Sequence, residues 1–418
     1  MNIIIKNARI IDPFGAYNQQ IKSIKISNGI INEIADDIAV SDNDLLVDIP
    51  NLHISYGWID SSVSFGEPGY EERETIAHGL EVAAKSGFTH ICLNPNTDPV
   101  IDNQAGVNLV LSKASGQAST LLPIGALTKN SEGIDMAEMF DMKNAGAVAF
   151  GDYKKSMENA NLLKISLQYT QNFNARVIAY ASDKNIKGKG VVNEGVVSTR
   201  LGLKGIPDLA EEIVVARNLY LLEYTGGKMH IPTISTQKSI ELIKAAKAKG
   251  LDVTCSVAVH HLVLTDEQLD NFDTRYKVAP PLKDETTRQA LINAVLDDTI
   301  DCITTDHQPW DIEHKKLEFD LAKDGTIGLE SAFGALQNVL PLDVIIKKLL
   351  GAYTIFTDII PEITVDRTAN LTLFSPDTAY TFTVDNILSK SKNSAFLRQQ
   401  MKGKVSGIIN NNKLIINE

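Results

Sequence analysis

Between residues 56 and 360 the chain repeats one pattern: a short apolar run, then a stretch with apolar residues at helical spacing. The runs Trp58–Ser64, His90–Asn96, Leu121–Ala126, Ala147–Asp152, Arg176–Ala181, Met229–Ile234, Val253–Val259 and Asp301–Asp306 read as strands. Leu209–Tyr224 and Lys238–Lys249 read as helices. Strands separated by helices predict a parallel sheet. Eight of them predict an α/β fold of the closed (β/α)8 TIM barrel type, with a doubly wound open sheet as the alternative. No Gly-x-Gly-x-x-Gly follows the first strand, which counts against dinucleotide binding.

Outside that region the period shortens. Residues 1 to about 55 alternate in bursts, Ile3-Ile4-Ile5, Ala8-Arg9-Ile10-Ile11, Ile24-Lys25-Ile26 and Ile30-Ile31, separated by turns such as Asp12-Pro13 and Asn28-Gly29. Asn370–Phe374 and Val405–Ile416, broken at Asn410-Asn411-Asn412, read the same way. Pairing of these ends predicts a small composite β-sandwich domain from 1–55 and 361–418, flanking a barrel on 56–360.

Composition narrows the function classes. With 44% hydrophobic and 22% charged residues, the 418-residue chain can bury a sizeable core. Its net charge of -12 argues against nucleic-acid and membrane-surface partners. Cys92, Cys255 and Cys302 each lie in an apolar run and read as small buried hydrophobes of a reducing compartment. No signal-peptide pattern opens the sequence and no apolar run is long enough to span a bilayer, so a cytoplasmic location is expected.

Barrels gather their chemistry at strand C-termini. Those tips carry Ser62/Ser64, Asn94/Asn96, Asp152/Tyr153, Tyr180/Ser182, Thr233, His260/His261 and Asp306/His307. A polar ring of this kind predicts a ligand-facing cavity. Asp306 is the candidate general base or metal ligand, with His260 and Asp152 as the other candidate metal ligands. His230 reads as a hydrogen-bonded barrel histidine, and His53, His78, His90 and His314 as surface or helix residues. Serine hydroxyls are poor ligands for a divalent cation, so the three candidates would hold one metal weakly, and a two-metal site is not expected.

Several motifs resemble the long-chain dihydroorotases of the amidohydrolase superfamily. They are D-S-S-V-S-F-G-E-P-G at Asp60–Gly69, N-P-N-T-D-P at Asn94–Pro99 and N-E-G-V-V-S-T-R-L-G-L-K-G-I-P at Asn193–Pro207. H-I-P-T-I-S-T at His230–Thr236, V-H-H-L at Val259–Leu262 and K-V-A-P-P-L at Lys277–Leu282 follow. I-T-T-D-H-Q-P at Ile303–Pro309, G-L-E-S at Gly328–Ser331 and S-K-S-K-N-S-A-F at Ser389–Phe396 complete the resemblance. It implies a barrel with a composite β domain, and an enzyme that opens and closes the dihydroorotate ring, usually with zinc.

The departures fall on the residues the resemblance would make functional. The family's paired metal histidines fall at Ser62 and Ser64, a further metal histidine at Thr233, and the substrate-carboxylate arginine at Gly66. An aspartate pair is reduced to Asp152-Tyr153, a substrate asparagine becomes Ala279, and a histidine becomes Trp310. Asn96, His260 and Asp306 remain as remnants of the substrate and metal sites. The expectation is an inactive homologue without zinc or other cofactor, forming oligomers and serving aspartate carbamoyltransferase as a structural or regulatory partner. The alternatives are an active cyclic amide hydrolase with a mononuclear or metal-free centre, and a sensor of a pyrimidine-like ligand. Ser62→His, Ser64→His and Thr233→His together are expected to rebuild a zinc site without restoring turnover.

Overall fold

A computed structural model describes residues 2–417. Five strands open the chain: β1 (Asn2–Ile10), β2 (Ile21–Ser27), β3 (Ile30–Ala35), β4 (Leu45–Val47) and β5 (His53–Tyr56). Eight barrel strands follow the order anticipated from the apolar runs: β6 (Trp58–Val63), β7 (Phe88–Leu93), β8 (Thr120–Gly125), β9 (Ala149–Phe150), β10 (Arg176–Ile178), β13 (Lys228–Ile231), β14 (Val253–Ala258) and β15 (Cys302–Thr304). A two-stranded flap, β11 (Val192–Asn193) and β12 (Gly205–Ile206), is inserted after β10. β16 (Leu371–Thr381), β17 (Gln400–Asn410) and β18 (Lys413–Ile416) end the chain.

The barrel strands are all parallel and run β15-β14-β13-β10-β9-β8-β7-β6. Closure between β6 and β15 is made just beyond the strands, where Ser64 N–H donates to the His307 carbonyl at 2.9 Å. It is riveted inside by Asp60, whose carboxylate accepts from the hydroxyls of Thr304 and Thr305. β6 and β7 are buried at every position, as expected for parallel strands covered on both faces.

The chain ends share one sheet, ordered β18-β17-β16-β5-β1-β2-β3 with β4 beside β1. Asn28 and Gly29 both lie at positive φ, 52° and 78°, which gives the right-twisted two-residue hairpin that the Asn-Gly pair signals. Asn411 and Asn412, at 51° and 55°, turn β17 into β18 in the same way. Sheet and barrel share a core at Trp58, whose ring lies 5.0 Å from Phe333, 5.6 Å from Phe374 and 5.9 Å from Phe88.

Two histidines depart from expectation. His53 and His90 are buried strand residues rather than surface ones, and His90 Nδ1 is hydrogen-bonded to the Tyr353 hydroxyl at 2.8 Å. A strand buried on both faces shows no alternation, so its pattern does not mark which side chains are solvated. Among the described residues no helix is long and apolar enough to cross a membrane.

Candidate functional site

Asp60 and Ser62 on β6, and Ser64 just beyond its end, are each engaged by neighbouring strand tips. Ser62 Oγ lies 3.4 Å from Asp306 Oδ1 and accepts from Asn94 Nδ2 at 3.1 Å. Ser64 Oγ donates to Asn96 Oδ1 at 2.9 Å. Asp306 follows β15 at φ 48° and is almost wholly buried. Asp60, deeper, has its carboxyl pushed up to about 6 by burial, against the opposing hydrogen bonds from Thr304 and Thr305. The stability that Asp60 contributes is therefore fullest below the ordinary carboxylate range and is lost as pH rises through about 6. Asp60→Asn should flatten that part of the stability–pH profile. Equal pH slopes for the two proteins in urea melts would remove the basis of this expectation.

The group facing Asp306 is Lys154, which the strand pattern did not single out. Past β9 the chain turns at Tyr153, at φ 54°, and the side chains on either side of it diverge. Asp152 goes to the loop after β8, where Oδ1 accepts from the amides of Leu127 and Thr128 at 2.9 and 3.0 Å, and Oδ2 from the Thr128 hydroxyl at 2.6 Å. Lys154 enters the barrel, and Nζ donates to Asp306 Oδ2 at 2.8 Å and to Gln308 Oε1 at 3.3 Å. Burial by itself would depress this ammonium, but the Asp306 carboxylate outweighs it and holds Lys154 above the ordinary lysine range. Burial also pushes the Asp306 carboxyl up, and Lys154 limits the rise. The neighbouring Lys155 turns outward to the Ser131 carbonyl at 3.0 Å, so a Lys-Lys pair in sequence does not say which member enters the barrel.

The remaining candidates surround this pair without converging on a metal. Both ring nitrogens of His260 are buried without a hydrogen-bond partner, 4.4 Å from the His261 ring, and burial holds the imidazole well below its usual pKa. His261 is buried too, with Nε2 at 3.0 Å from the Pro280 carbonyl. His230 is hydrogen-bonded to the hydroxyls of Thr254 and Ser256 at 3.0 and 3.2 Å. Thr233 lines the same interior, at φ 46°. Zinc takes three protein ligands in catalytic sites and four in structural ones. His260 lacks a partner on both ring nitrogens and His261 Nδ1 and His307 Nε2 lack one too, but Asp306 is taken by an ammonium and Asp152 by the β8 loop. Among the described residues no three His, Cys, Asp or Glu side chains come together as a metal site. These residues do not fit zinc. Cys92, Cys255 and Cys302 are buried free thiols, as expected, and burial raises each pKa.

Space agrees with chemistry. Ser62, Asn94, Tyr153, Lys154, Tyr180, Thr233 and Asp306 help enclose an interior void of about 20 Å³, room for about one water. Outside it lies a mouth of about 990 Å³ lined by Asn96, Asp152, Ala279, Gln308 and Trp310. Gly66 has φ 135°, and a Cβ there would run into the Tyr70 carbonyl oxygen, so this loop cannot present an arginine without rebuilding. Tyr70 instead stacks on Arg73, whose guanidinium lies 3.9 Å from its ring and 4.2 Å from that of Trp310. Trp310 Nε1 donates to the Asp324 carbonyl at 2.8 Å, clasping two loops across the rim.

A parallel eight-stranded barrel with polar strand tips carries a β-rich sheet built from both ends of the chain, and solved structures share this architecture. The L-hydantoinase (dihydropyrimidinase) from Arthrobacter aurescens superposes with a TM-score of 0.87 at 19% identity, over 99% of this chain and 96% of that one. A D-hydantoinase (dihydropyrimidinase) from Thermus sp. superposes with a TM-score of 0.84 at 20% identity, over 99% and 95%. At these identities the likeness speaks for the fold alone. The family model described as dihydro-orotase-like matches residues 53–239. The dihydroorotase of Thermoanaerobacter sp. (strain X514) is 39% identical over 412 residues, 97% of this chain and 95% of that protein. That of Geobacter metallireducens is 36% identical over 428 residues, 99% of each. The chain belongs to the dihydroorotase family.

Proposed function

We propose that this chain is a catalytically silent dihydroorotase homologue of pyrimidine biosynthesis that acts as a structural or regulatory partner of aspartate carbamoyltransferase. The observation that carries the first half is the Lys154–Asp306 ion pair. Cyclic amide hydrolysis needs an activated water and a polarised carbonyl. Asp306 is the general-base candidate, and a bound ammonium makes it a weaker base than a free buried carboxylate. Lys154 is itself held protonated, so it is no base for Ser62. Gly66 itself offers no cation to a substrate carboxylate, and a Cβ there would run into the Tyr70 carbonyl oxygen. These points favour silence over a rebuilt hydrolase. The partner is the one the family resemblance implies.

Two measurements test the two halves. Protein purified without chelators should carry no stoichiometric zinc by elemental analysis and should not hydrolyse dihydroorotate above background. One tightly bound zinc per chain, or turnover abolished by Asp306→Asn, would overturn the silent reading. Co-expression with the aspartate carbamoyltransferase of the same cell should yield a complex that survives gel filtration, and separate elution would remove the partner.

A further inference from the structure

We propose that a cavity beside the β11–β12 flap is a binding site for a small zwitterion of the α-amino acid class, its carboxylate taken by Lys187 and its ammonium by Asp324. The cavity holds about 80 Å³ and lies between the tip of β10, the flap and residues 277–283. At roughly 10–15 Å³ per water it has room for about six, enough for a small amino acid. It opens into the barrel mouth, since Tyr180, Ser182, Lys187, Ala279 and Asp324 line both spaces. A ligand therefore has a way in from solvent. The site stands apart from the Lys154–Asp306 pair, neither member of which lines this cavity.

The charges lining the cavity identify the ligand. Six charged side chains face it, and four are already held. Lys283 donates to Asn193 Oδ1 at 2.9 Å and to the Asp208 carboxylate. Lys277 places its ammonium on the carbonyls of Phe319, Asp320 and Ala322 at 2.7, 3.0 and 2.8 Å. The Glu211 carboxylate accepts from the amides and hydroxyls of Ser235 and Thr236. Lys187, on the helix Lys184–Lys187, and Asp324, on the loop after β15, are left over. Both are half-buried. Among the described residues neither side chain has a hydrogen bond or an ion pair, and they do not pair with each other. Opposite charges that face one cavity unjoined are complementary to a molecule carrying both. Tyr180, where cavity and mouth meet, is 7% exposed, and its hydroxyl has no hydrogen-bond partner among the described residues either. A buried hydroxyl costs free energy until something bonds to it, and a ligand carboxylate oxygen accepts from it here. Ile206, Pro207, Val278 and Pro280 complete the wall, which suits a short apolar side chain rather than a third charge.

Calorimetry on the full chain with L-alanine is expected to give a dissociation constant below about 1 mM, with each charge-assisted contact contributing on the order of tenfold or more. Propionate and ethylamine, which carry one of the two charges each, should bind at least about tenfold more weakly. Lys187→Met and Asp324→Asn should each weaken L-alanine by at least about tenfold, and Tyr180→Phe by about threefold or more. Lys189→Met removes an exposed lysine that does not line the cavity and should change nothing. The melting profiles of the Lys187 and Asp324 variants should match wild type, because neither side chain has a partner to lose. The Trp310 clasp survives Asp324→Asn, since it uses the backbone carbonyl. No binding of L-alanine at millimolar concentration, a half-ligand that binds as well as L-alanine, or Lys187 and Asp324 variants that bind as wild type would each overturn the proposal. None of these outcomes bears on whether the barrel is silent.

Discussion

Lys154→Met is expected to destabilise the protein by ~3–5 kcal/mol, because it leaves the carboxylate of Asp306 buried without its counter-ion. Asp306 is about 2% exposed, so water cannot replace the ammonium, and its other contact is the distant Ser62 hydroxyl at 3.4 Å. The carboxyl escapes by taking a proton. Its pKa is already raised by burial, and removing Lys154 removes the largest influence holding it down. In the variant, folded Asp306 therefore binds a proton at a pH where the unfolded chain has lost it, and stability falls as pH rises through the folded pKa. The deficit should be small in acid and full at neutral pH. Adding Asp306→Asn, which needs no counter-ion, should recover most of it. Lys155→Met, the adjacent control, should stay within about 0.5 kcal/mol of wild type. Urea melts at two pH values read all three. A pH-independent loss, or no recovery in the double variant, would mean that Lys154 acts through packing rather than charge.

Returning Ser62, Ser64 and Thr233 to histidine is expected to give tight zinc binding only when Lys154 is removed as well. Three imidazoles at strand tips would supply nitrogen ligands, but the ammonium already sits on Asp306, 2.8 Å from its carboxylate. A dication beside an ammonium in a partly buried site is opposed by several kcal/mol, so Lys154→Gly added to the three histidines should raise zinc affinity by at least about 10³-fold. Calorimetry on the triple and quadruple variants gives the comparison. Equal affinities would show that Lys154 swings out at no cost and that the pair is not what excludes metal. Neither variant should hydrolyse dihydroorotate, because the Gly66 loop has no room for a side chain and Trp310 stays clasped to Asp324.

The sequence by itself determined the barrel, the order of its eight strands, the hairpins at Asn28-Gly29 and Asn411-Asn412, and the family. These follow from period, turn chemistry and long motifs, which are properties of neighbouring residues. Its resemblance to the family also singled out Ser62, Ser64, Gly66 and Thr233 as positions where the family's ligand residues are expected. The tertiary structure decided what stands in their place. Asp152 and Lys154 are two residues apart on one turn, and nothing local says that the carboxylate leaves for the β8 loop while the ammonium enters the barrel. Asp306 is 152 residues further along the chain from Lys154 and meets it only because β9 and β15 end at the same rim. The buried strand histidines His53 and His90 were illegible for a related reason, since a strand covered on both faces carries no alternation. A charge in a low-dielectric interior is governed by the partner that folding brings to it, and that partner is a long-range contact no sequence pattern contains.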